Sequence, residues 1–129
     1  MGSLADDLNK VFNKRRNFTR VHFASDALVN HADHTYLGKV SNVCLKGLHL
    51  TMPKHIPSDS LVTVTIAPPH SPGIVFSAKV VWTEQDELGI EIAQMPLASF
   101  SWLREVVTAR ALDPEGIINE VYRVTNCID

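Results

Sequence analysis

The sequence has few cysteines and no surplus of positive charge. Only two of its 129 residues are cysteines, Cys44 and Cys127, and neither lies in a CxxC pair. A disulfide framework and a zinc ribbon need more cysteines at closer spacing, so both are excluded. Lys and Arg total 12 against 14 Asp and Glu, whereas proteins that coat nucleic acids are normally basic. We therefore do not expect a nucleic acid polymer as the partner.

Long apolar runs are also missing. No stretch approaches the roughly 18 residues of a membrane-spanning helix, and residues 1–6 lack the apolar core of a signal peptide. Sparse, unpaired cysteines are the norm in a reducing compartment. We therefore expect a soluble, cytoplasmic domain without membrane insertion. Its hydrophobic fraction of 45% and charged fraction of 20% are typical of one globular domain with its own core.

Alternation of apolar and polar residues dominates residues 20–93 and predicts β-strands. Six short runs alternate in this way, separated by turns rich in proline or acidic residues. The run at residues 74–83 carries its apolar side chains on one face from Ile74 to Trp82, so Trp82 is expected in the core, as is Trp102. Six short strands with tight connections indicate a small antiparallel barrel or sandwich.

Helical spacing of apolar residues appears on both sides of the β-rich region. Residues 4–14 predict a short N-terminal helix, and the apolar positions from Pro96 to Val107 predict a helix that covers an open end or side of the barrel. Asp113 and Pro114 predict the cap and first position of another short helix, after which Cys127 is expected to be inert or frayed. The predicted segments are an N-terminal helical extension (1–14), a barrel with its capping helix (15–112) and a short C-terminal helix (113–129).

A basic segment precedes the first strand. Residues 8–25 contain no Asp or Glu, but they contain five basic residues: Lys10, Lys14, Arg15, Arg16 and Arg20. The guanidinium groups of Arg16 and Arg20 can each grip a phosphate or the O6 and N7 edge of guanine. A solvated basic linker is the other interpretation of these two arginines. Because the like charges repel one another, we expect residues 10–20 to be mobile without a ligand and ordered with one.

A second motif follows in the strand–turn–strand stretch 38–50. Asn42, Cys44 and Gly47 have the spacing NxCxxG. The side chains at 42 and 44 can hydrogen-bond a base edge. Gly47 allows a positive φ or a close approach of the backbone to a ligand.

Taken together, these features resemble the PilZ domain family over roughly residues 15–110. Four features occur in the family's order and at its separations: Arg15-Arg16 followed by Arg20, the NxCxxG turn, Val80-Val81-Trp82 and Leu88-Gly89-Ile90-Glu91-Ile92. The resemblance implies a six-stranded antiparallel β-barrel with helical attachments that acts as a receptor for the bacterial second messenger cyclic di-GMP.

The resemblance also assigns roles to individual residues. Arginines from the N-terminal loop would hold phosphates and guanine bases, the side chains at 42 and 44 would contact a guanine, and the glycine would complete the turn. The implied ligand-binding residues are Arg15, Arg16, Arg20, Asn42, Cys44 and Gly47. The family usually has serine where this chain has Cys44. One neutral hydrogen bond is worth on the order of 0.5–1.5 kcal/mol, so the thiol is expected to weaken binding without abolishing it.

Several functions compete with this reading. The first alternative is a degenerate PilZ-like module that has lost the nucleotide and contacts only proteins. Another is a small barrel that binds single-stranded nucleic acid through the basic arm, which the net charge disfavours. An enzyme is not expected, because no local motif assembles a Ser/His/Asp set and His49 is the only histidine near Cys44 in sequence. The six histidines are interpreted as scattered surface residues rather than metal ligands. The favoured function is a non-catalytic cyclic di-GMP receptor that changes its N-terminal arm and signals to a protein partner.

Overall fold

The computed structural model of the protein describes residues 18–70 and 72–128. The predicted N-terminal helix, residues 4–14, lies outside them. Alternating β-branched and polar residues form six strands, and in chain order these are β1 (Val21–His31), β2 (His34–Val43), β3 (Gly47–Thr51), β4 (Leu61–Ile66), β5 (Ile74–Glu84) and β6 (Glu87–Gln94). All neighbours are antiparallel, in the order β1-β2-β3-β6-β5-β4, and β1 pairs with β4 to close the barrel. The predicted six-stranded antiparallel barrel is confirmed.

The core lies inside this barrel. Because side chains alternate across a strand, every second residue points inward and packs against residues from the opposite wall. Among the most deeply buried of these side chains are Val29, Leu50, Val64, Ile66, Val80 and Leu88. The outward-facing residues between them are free to form functional surfaces.

Two of the register irregularities in the barrel are β-bulges that change which residues face outward near the NxCxxG turn. In β5 the pairing moves from Val80–Ile90 to Trp82–Gly89, so Val81 is an extra residue and the alternation breaks. Trp82 is consequently 40% exposed on the outer surface, and the prediction of a buried Trp82 is wrong. A second bulge lies in β2 at Ser41, between the pairs Val40–Leu50 and Asn42–His49.

The helix α1 (Leu97–Arg110) follows the barrel directly, as predicted from residue 96 onward. It buries Phe100, Leu103, Val106 and Val107 against the barrel, whereas Leu97 is exposed. Trp102 is only half-buried, which corrects its assignment to the core, and it packs edge-on against the ring of Phe23 with centroids 5.3 Å apart.

The C-terminal segment returns to the barrel after α1. It comprises a 3-10 turn at Pro114–Gly116, the helix α2 (Ile117–Tyr122) and a 3-10 turn at Thr125–Cys127. Cys127 is buried, and its carbonyl oxygen accepts a 2.9 Å hydrogen bond from the backbone N–H of Met95. The chain end is therefore anchored here, contrary to the prediction of a frayed Cys127.

Across the described residues, none of the helices has the length and apolar character needed to cross a bilayer.

Candidate ligand-binding site

The turn between β2 and β3 gathers the three residues of the NxCxxG motif at one edge of the barrel. Asn42 is the second-last residue of β2 and Gly47 is the first of β3. The backbone N–H of Cys44 donates to the carbonyl oxygen of Gly47 at 2.9 Å, which closes the turn. The carbonyl oxygen of Lys46 accepts from the N–H of Ile92 at 2.8 Å and so ties the turn to β6. The motif is therefore presented on a fixed backbone.

Arg20 lies beside this turn although it is 22 residues from Asn42 in sequence. It directly precedes β1, and the antiparallel register places His22 of β1 opposite Asn42 of β2. One guanidinium nitrogen of Arg20, Nη1, donates to Oδ1 of Asn42 at 3.0 Å. A guanidinium group has five N–H donors, so most of its hydrogen-bonding capacity remains for a ligand. A cation and an amide, both able to read a base edge, thus meet on the outer surface.

Cys44 is held inside the turn. Its residue exposure is 5%, and burial raises the pKa of its thiol. The backbone N–H groups of Lys46 and Gly47 and the charge of Arg20 oppose that shift without reversing it. A thiol with a raised pKa stays protonated at neutral pH and is a poor nucleophile, which argues against a catalytic role for Cys44.

Gly47 is required for packing, not for a special backbone angle. No glycine among the described residues has a positive φ, so the first role predicted for Gly47 does not apply. A Cβ atom at this position would overlap the backbone carbonyl oxygen of Ile90 on β6. The absent side chain lets β3 approach β6 closely, which fixes the turn against the barrel.

The residues before Arg20 are anchored by α2. The backbone N–H and the hydroxyl of Thr19 donate to the two carboxylate oxygens of Glu120, at 2.9 and 2.6 Å. Glu120 is 9% exposed, and the neighbouring Arg123 guanidinium lies 4.4 Å from the centroid of the Phe18 ring. Residues 18–20, the end of the predicted mobile arm nearest the barrel, are therefore tied to α2 and the residue that follows it. Residues 10–17 lie outside the described part of the chain.

A row of outward-facing residues extends from Asn42 across four strands. Asn42 pairs with His49 on β3, His49 pairs with Gly89 on β6, and Gly89 pairs with Trp82 on β5. The Trp82 indole lies over Gly89, where a Cβ atom would overlap the indole nitrogen. The Trp82 and His49 rings are 5.5 Å apart between centroids, tilted by 35°. An exposed aromatic surface thus adjoins the Arg20–Asn42 pair.

Comparison with known families and structures identifies the fold. The family model for the PilZ domain matches residues 14–109, which is most of the chain. The chain belongs to the PilZ domain family. The described part of this PilZ domain includes both parts of the site, Arg20 and the NxCxxG turn.

Three solved structures resemble this PilZ domain. The Bacillus subtilis inhibitor of motility MotI/DgrA matches with a TM-score of 0.65 and 14% identity, over 74% of this chain and 50% of its own. The PilZ domain of YcgR from Escherichia coli, determined with c-di-GMP, matches with a TM-score of 0.63 and 12% identity, over 82% and 97%. The PilZ domain of CeSA from a cellulose-synthesizing bacterium matches with a TM-score of 0.56 and 11% identity, over 70% and 95%.

At these identities the structural likeness concerns the fold alone. This PilZ domain spans half the length of MotI/DgrA and nearly all of the two isolated PilZ domains. The search of curated proteins gave no match.

The structure brings four of the six predicted site residues of this PilZ domain together: Arg20, Asn42, Cys44 and Gly47. Arg15 and Arg16 lie outside the described residues. For the described ranges, no three His, Cys, Asp or Glu side chains are grouped so that they could hold a metal ion.

Sequence reasoning missed a chain of hydrogen bonds next to Asn42. The bulge at Ser41 adjoins the Asn42–His49 pair, and the Ser41 hydroxyl lies within hydrogen-bond distance of Nδ1 of His49. Nε2 of the same ring is 2.8 Å from Oε1 of Glu87. Since these residues come from three strands, no local motif could predict this series of hydrogen bonds. The prediction that His49 is a scattered surface histidine is therefore wrong, because its ring is part of a hydrogen-bonded chain on the outer surface of the site.

Proposed function

We propose that this PilZ domain is a non-catalytic receptor for cyclic di-GMP that signals to a protein partner from the cytoplasm. The observation that carries the proposal is the hydrogen bond between Arg20 and Asn42. It joins the basic segment and the NxCxxG turn at one surface, although nothing in their sequence separation requires them to meet. The YcgR structure, determined with c-di-GMP, has the same fold.

The ligand has two phosphates and two guanine bases, and the site offers complementary groups for each. Arg20, with Arg15 and Arg16 from the preceding segment, would supply guanidinium groups for phosphate oxygens or for the O6 and N7 edge of guanine. Asn42 would use its amide as both donor and acceptor toward a base edge. Its carbonyl oxygen now accepts from Arg20, so ligand binding would rearrange this pair rather than fill an unpaired site.

Trp82 is expected to stack on a base of the bound ligand. Its exposed indole adjoins Asn42 through His49, and stacking of a base on an aromatic side chain is worth about 1–3 kcal/mol. Trp82→Leu should therefore raise the Kd for cyclic di-GMP by roughly fivefold to more than a hundredfold, and binding should quench the emission of Trp82. Trp102→Phe is the matched control, because Trp102 packs on Phe23. Equal affinity in the Trp82 variant and the wild type would exclude stacking.

Cys44→Ser is expected to tighten binding by less than about tenfold. The buried thiol sits among the N–H groups of Lys46 and Gly47, and a hydroxyl is both a better donor and a better acceptor than a thiol. Restoring one neutral hydrogen bond accounts for a change of that size. Cys127→Ser, the same exchange at the other buried cysteine, should leave the Kd unchanged. Unchanged or weaker binding by the Cys44 variant would show that another contact accommodates the thiol or that residue 44 does not face the ligand.

The proposed signal is a change in the N-terminal arm. Amide hydrogen exchange should show Thr19 protected in the free protein, since its N–H is bound to Glu120. Exchange at residues 10–17 should slow only when cyclic di-GMP is added, because two phosphates would neutralise the repulsion among the basic side chains. The strand β4 provides an internal reference that should not respond. Strong and equal protection of residues 10–17 in both states would contradict a ligand-driven change.

The alternative is a PilZ-like interaction module that does not bind the nucleotide. The observation that favours it is a row of exposed apolar residues on another side of the barrel. Leu37 pairs with Leu28, Leu28 with Thr65, and Thr65 with Val75, across four strands. Leu28, Leu37 and Val75 are 44%, 60% and 47% exposed, as expected for a surface that contacts a protein.

Calorimetric titration with cyclic di-GMP separates the two candidates. GTP and a short single-stranded oligonucleotide are the controls, since they share the guanine base and the phosphate charge, respectively. Saturable heat with cyclic di-GMP alone supports the receptor. Absence of heat at saturating ligand excludes it and favours the interaction module, whereas heat with the oligonucleotide would favour the nucleic-acid-binding barrel.

A further inference from the structure

We propose that the chain Ser41–His49–Glu87 is a positioning device that holds the Trp82 indole where it stacks on a base of the ligand. His49 is the central residue of this device, and its role in binding rests on the proposed function. Three strands supply the chain, β2, β3 and β6, and Trp82 comes from a fourth, β5.

The hydrogen bonds fix both the tautomer and the plane of the His49 ring. The Glu87 carboxylate can only accept, so Nε2 carries the proton and donates to it at 2.8 Å. In the neutral ring Nδ1 is then the acceptor, and the Ser41 hydroxyl donates to it. Partners at both nitrogens, on neighbouring strands to either side, prevent the ring from rotating about its bond to Cβ. This is the arrangement that fixes histidine rings elsewhere in proteins.

The fixed ring in turn limits the Trp82 side chain. The indole has Gly89 beneath it, where no Cβ atom is present, and the His49 ring against it at 5.5 Å between centroids. The residue is nevertheless 40% exposed, so part of its surface is open to solvent. A side chain that is held before the ligand arrives loses less freedom on binding, which lowers the cost of the complex. The Ser41–His49–Glu87 chain therefore contributes to affinity without contacting the ligand.

The restrained indole lies at a distance from Asn42 that suits a ligand with two bases. Asn42 lies on β2, and the indole lies over Gly89 on β6 with β3 between them. Two strand spacings amount to roughly 10 Å. A ligand that places one base at Arg20 and Asn42 would reach the Trp82 indole with its remaining atoms.

The test begins with the free protein. In a Trp102→Phe background Trp82 is the only tryptophan, so its fluorescence anisotropy reports the motion of that indole. His49→Ala should lower the anisotropy, and Ser41→Ala and Glu87→Ala should lower it to a smaller extent. Glu87→Gln should restore it, because an amide oxygen still accepts from Nε2. His34→Ala is the matched control and should leave the anisotropy unchanged. The His34 ring also stacks on an aromatic residue, but its partner is Tyr36 at the start of β2, with 6.0 Å between centroids.

The second measurement is the Kd for cyclic di-GMP. His49→Ala should raise it by about threefold to tenfold, whereas the same change in a Trp82→Leu background should have no further effect. Unchanged anisotropy in His49→Ala, or an equal effect of His49→Ala with and without the indole, would overturn the positioning role even if the wild type binds. If the variants show the expected anisotropy changes but the wild type does not bind cyclic di-GMP, the proposed function is overturned instead. Circular dichroism of each variant checks that the barrel is folded.

Discussion

Arg20→Ala should weaken the binding of cyclic di-GMP by roughly tenfold to more than a hundredfold. A charge-assisted hydrogen bond is worth about 1.5–3 kcal/mol, and each 1.4 kcal/mol corresponds to about a tenfold change in Kd. Arg20 is well placed for such a contact because its Nη1 lies 3.0 Å from Asn42 Oδ1 at the edge of the NxCxxG turn. The same substitution removes the donor that orients Asn42, so both predicted contacts are affected.

Two further variants separate charge from geometry at this position. Arg20→Lys keeps the positive charge but loses the planar, two-pronged donor, so its affinity should lie between wild type and Arg20→Ala. Arg104→Ala removes the same side chain from an exposed position on α1 and should leave the Kd unchanged. Titration calorimetry measures all of these variants. An Arg20→Ala protein that binds like the wild type would remove Arg20 from the site.

Gly47→Ala should have the largest effect on stability, lowering the free energy of unfolding by about 3 kcal/mol or more. The added Cβ atom would overlap the carbonyl oxygen of Ile90, which is backbone held within the β3–β6 pair. Neither strand can move without disturbing the barrel. The expected loss corresponds to a decrease in Tm of roughly 10 °C. Thermal unfolding followed by circular dichroism measures it.

Gly38→Ala is the control for this substitution, because Gly38 also lies in a strand. Its added Cβ atom would come within 3.3 Å of the Met52 Cβ and the Thr51 carbonyl oxygen, a distance that small shifts relieve. The expected destabilisation is below about 1 kcal/mol. Equal stability of the Gly47 and Gly38 variants would show that the close approach of β3 and β6 is not required.

The fold could be predicted from the sequence because its main signal is local. Alternation with a period of two marks each strand, and the helical spacing after Pro96 marks α1. The signal failed at Trp82 because a bulge interrupts the alternation, and a bulge depends on how β5 pairs with β6. The same signal does not indicate that Glu120, which sits among apolar residues of α2, is buried. Its burial reflects the hydrogen bonds from Thr19, 101 residues away.

The site could be predicted only in part for the same reason. Arg20 and the NxCxxG turn carry recognisable residue types, so each could be found in the sequence. The chain from Ser41 through His49 to Glu87 depends on strand register and on the bulge at Ser41. His49 and Glu87 are 38 residues apart and belong to no shared motif. Such contacts follow from the pairing of β2 with β3 and of β3 with β6, and they are visible only once these strands are paired.

Binding of cyclic di-GMP at Arg20 and the NxCxxG turn is tested most directly by a two-dimensional amide NMR titration. It reports both whether the nucleotide binds and where. We expect saturable shifts concentrated at Arg20, Asn42, Gly47 and His49, and at the indole N–H of Trp82, with little change at Leu28 on the apolar row. No shift at saturating ligand, or shifts concentrated around Leu28 instead of Asn42, would contradict the proposed receptor function.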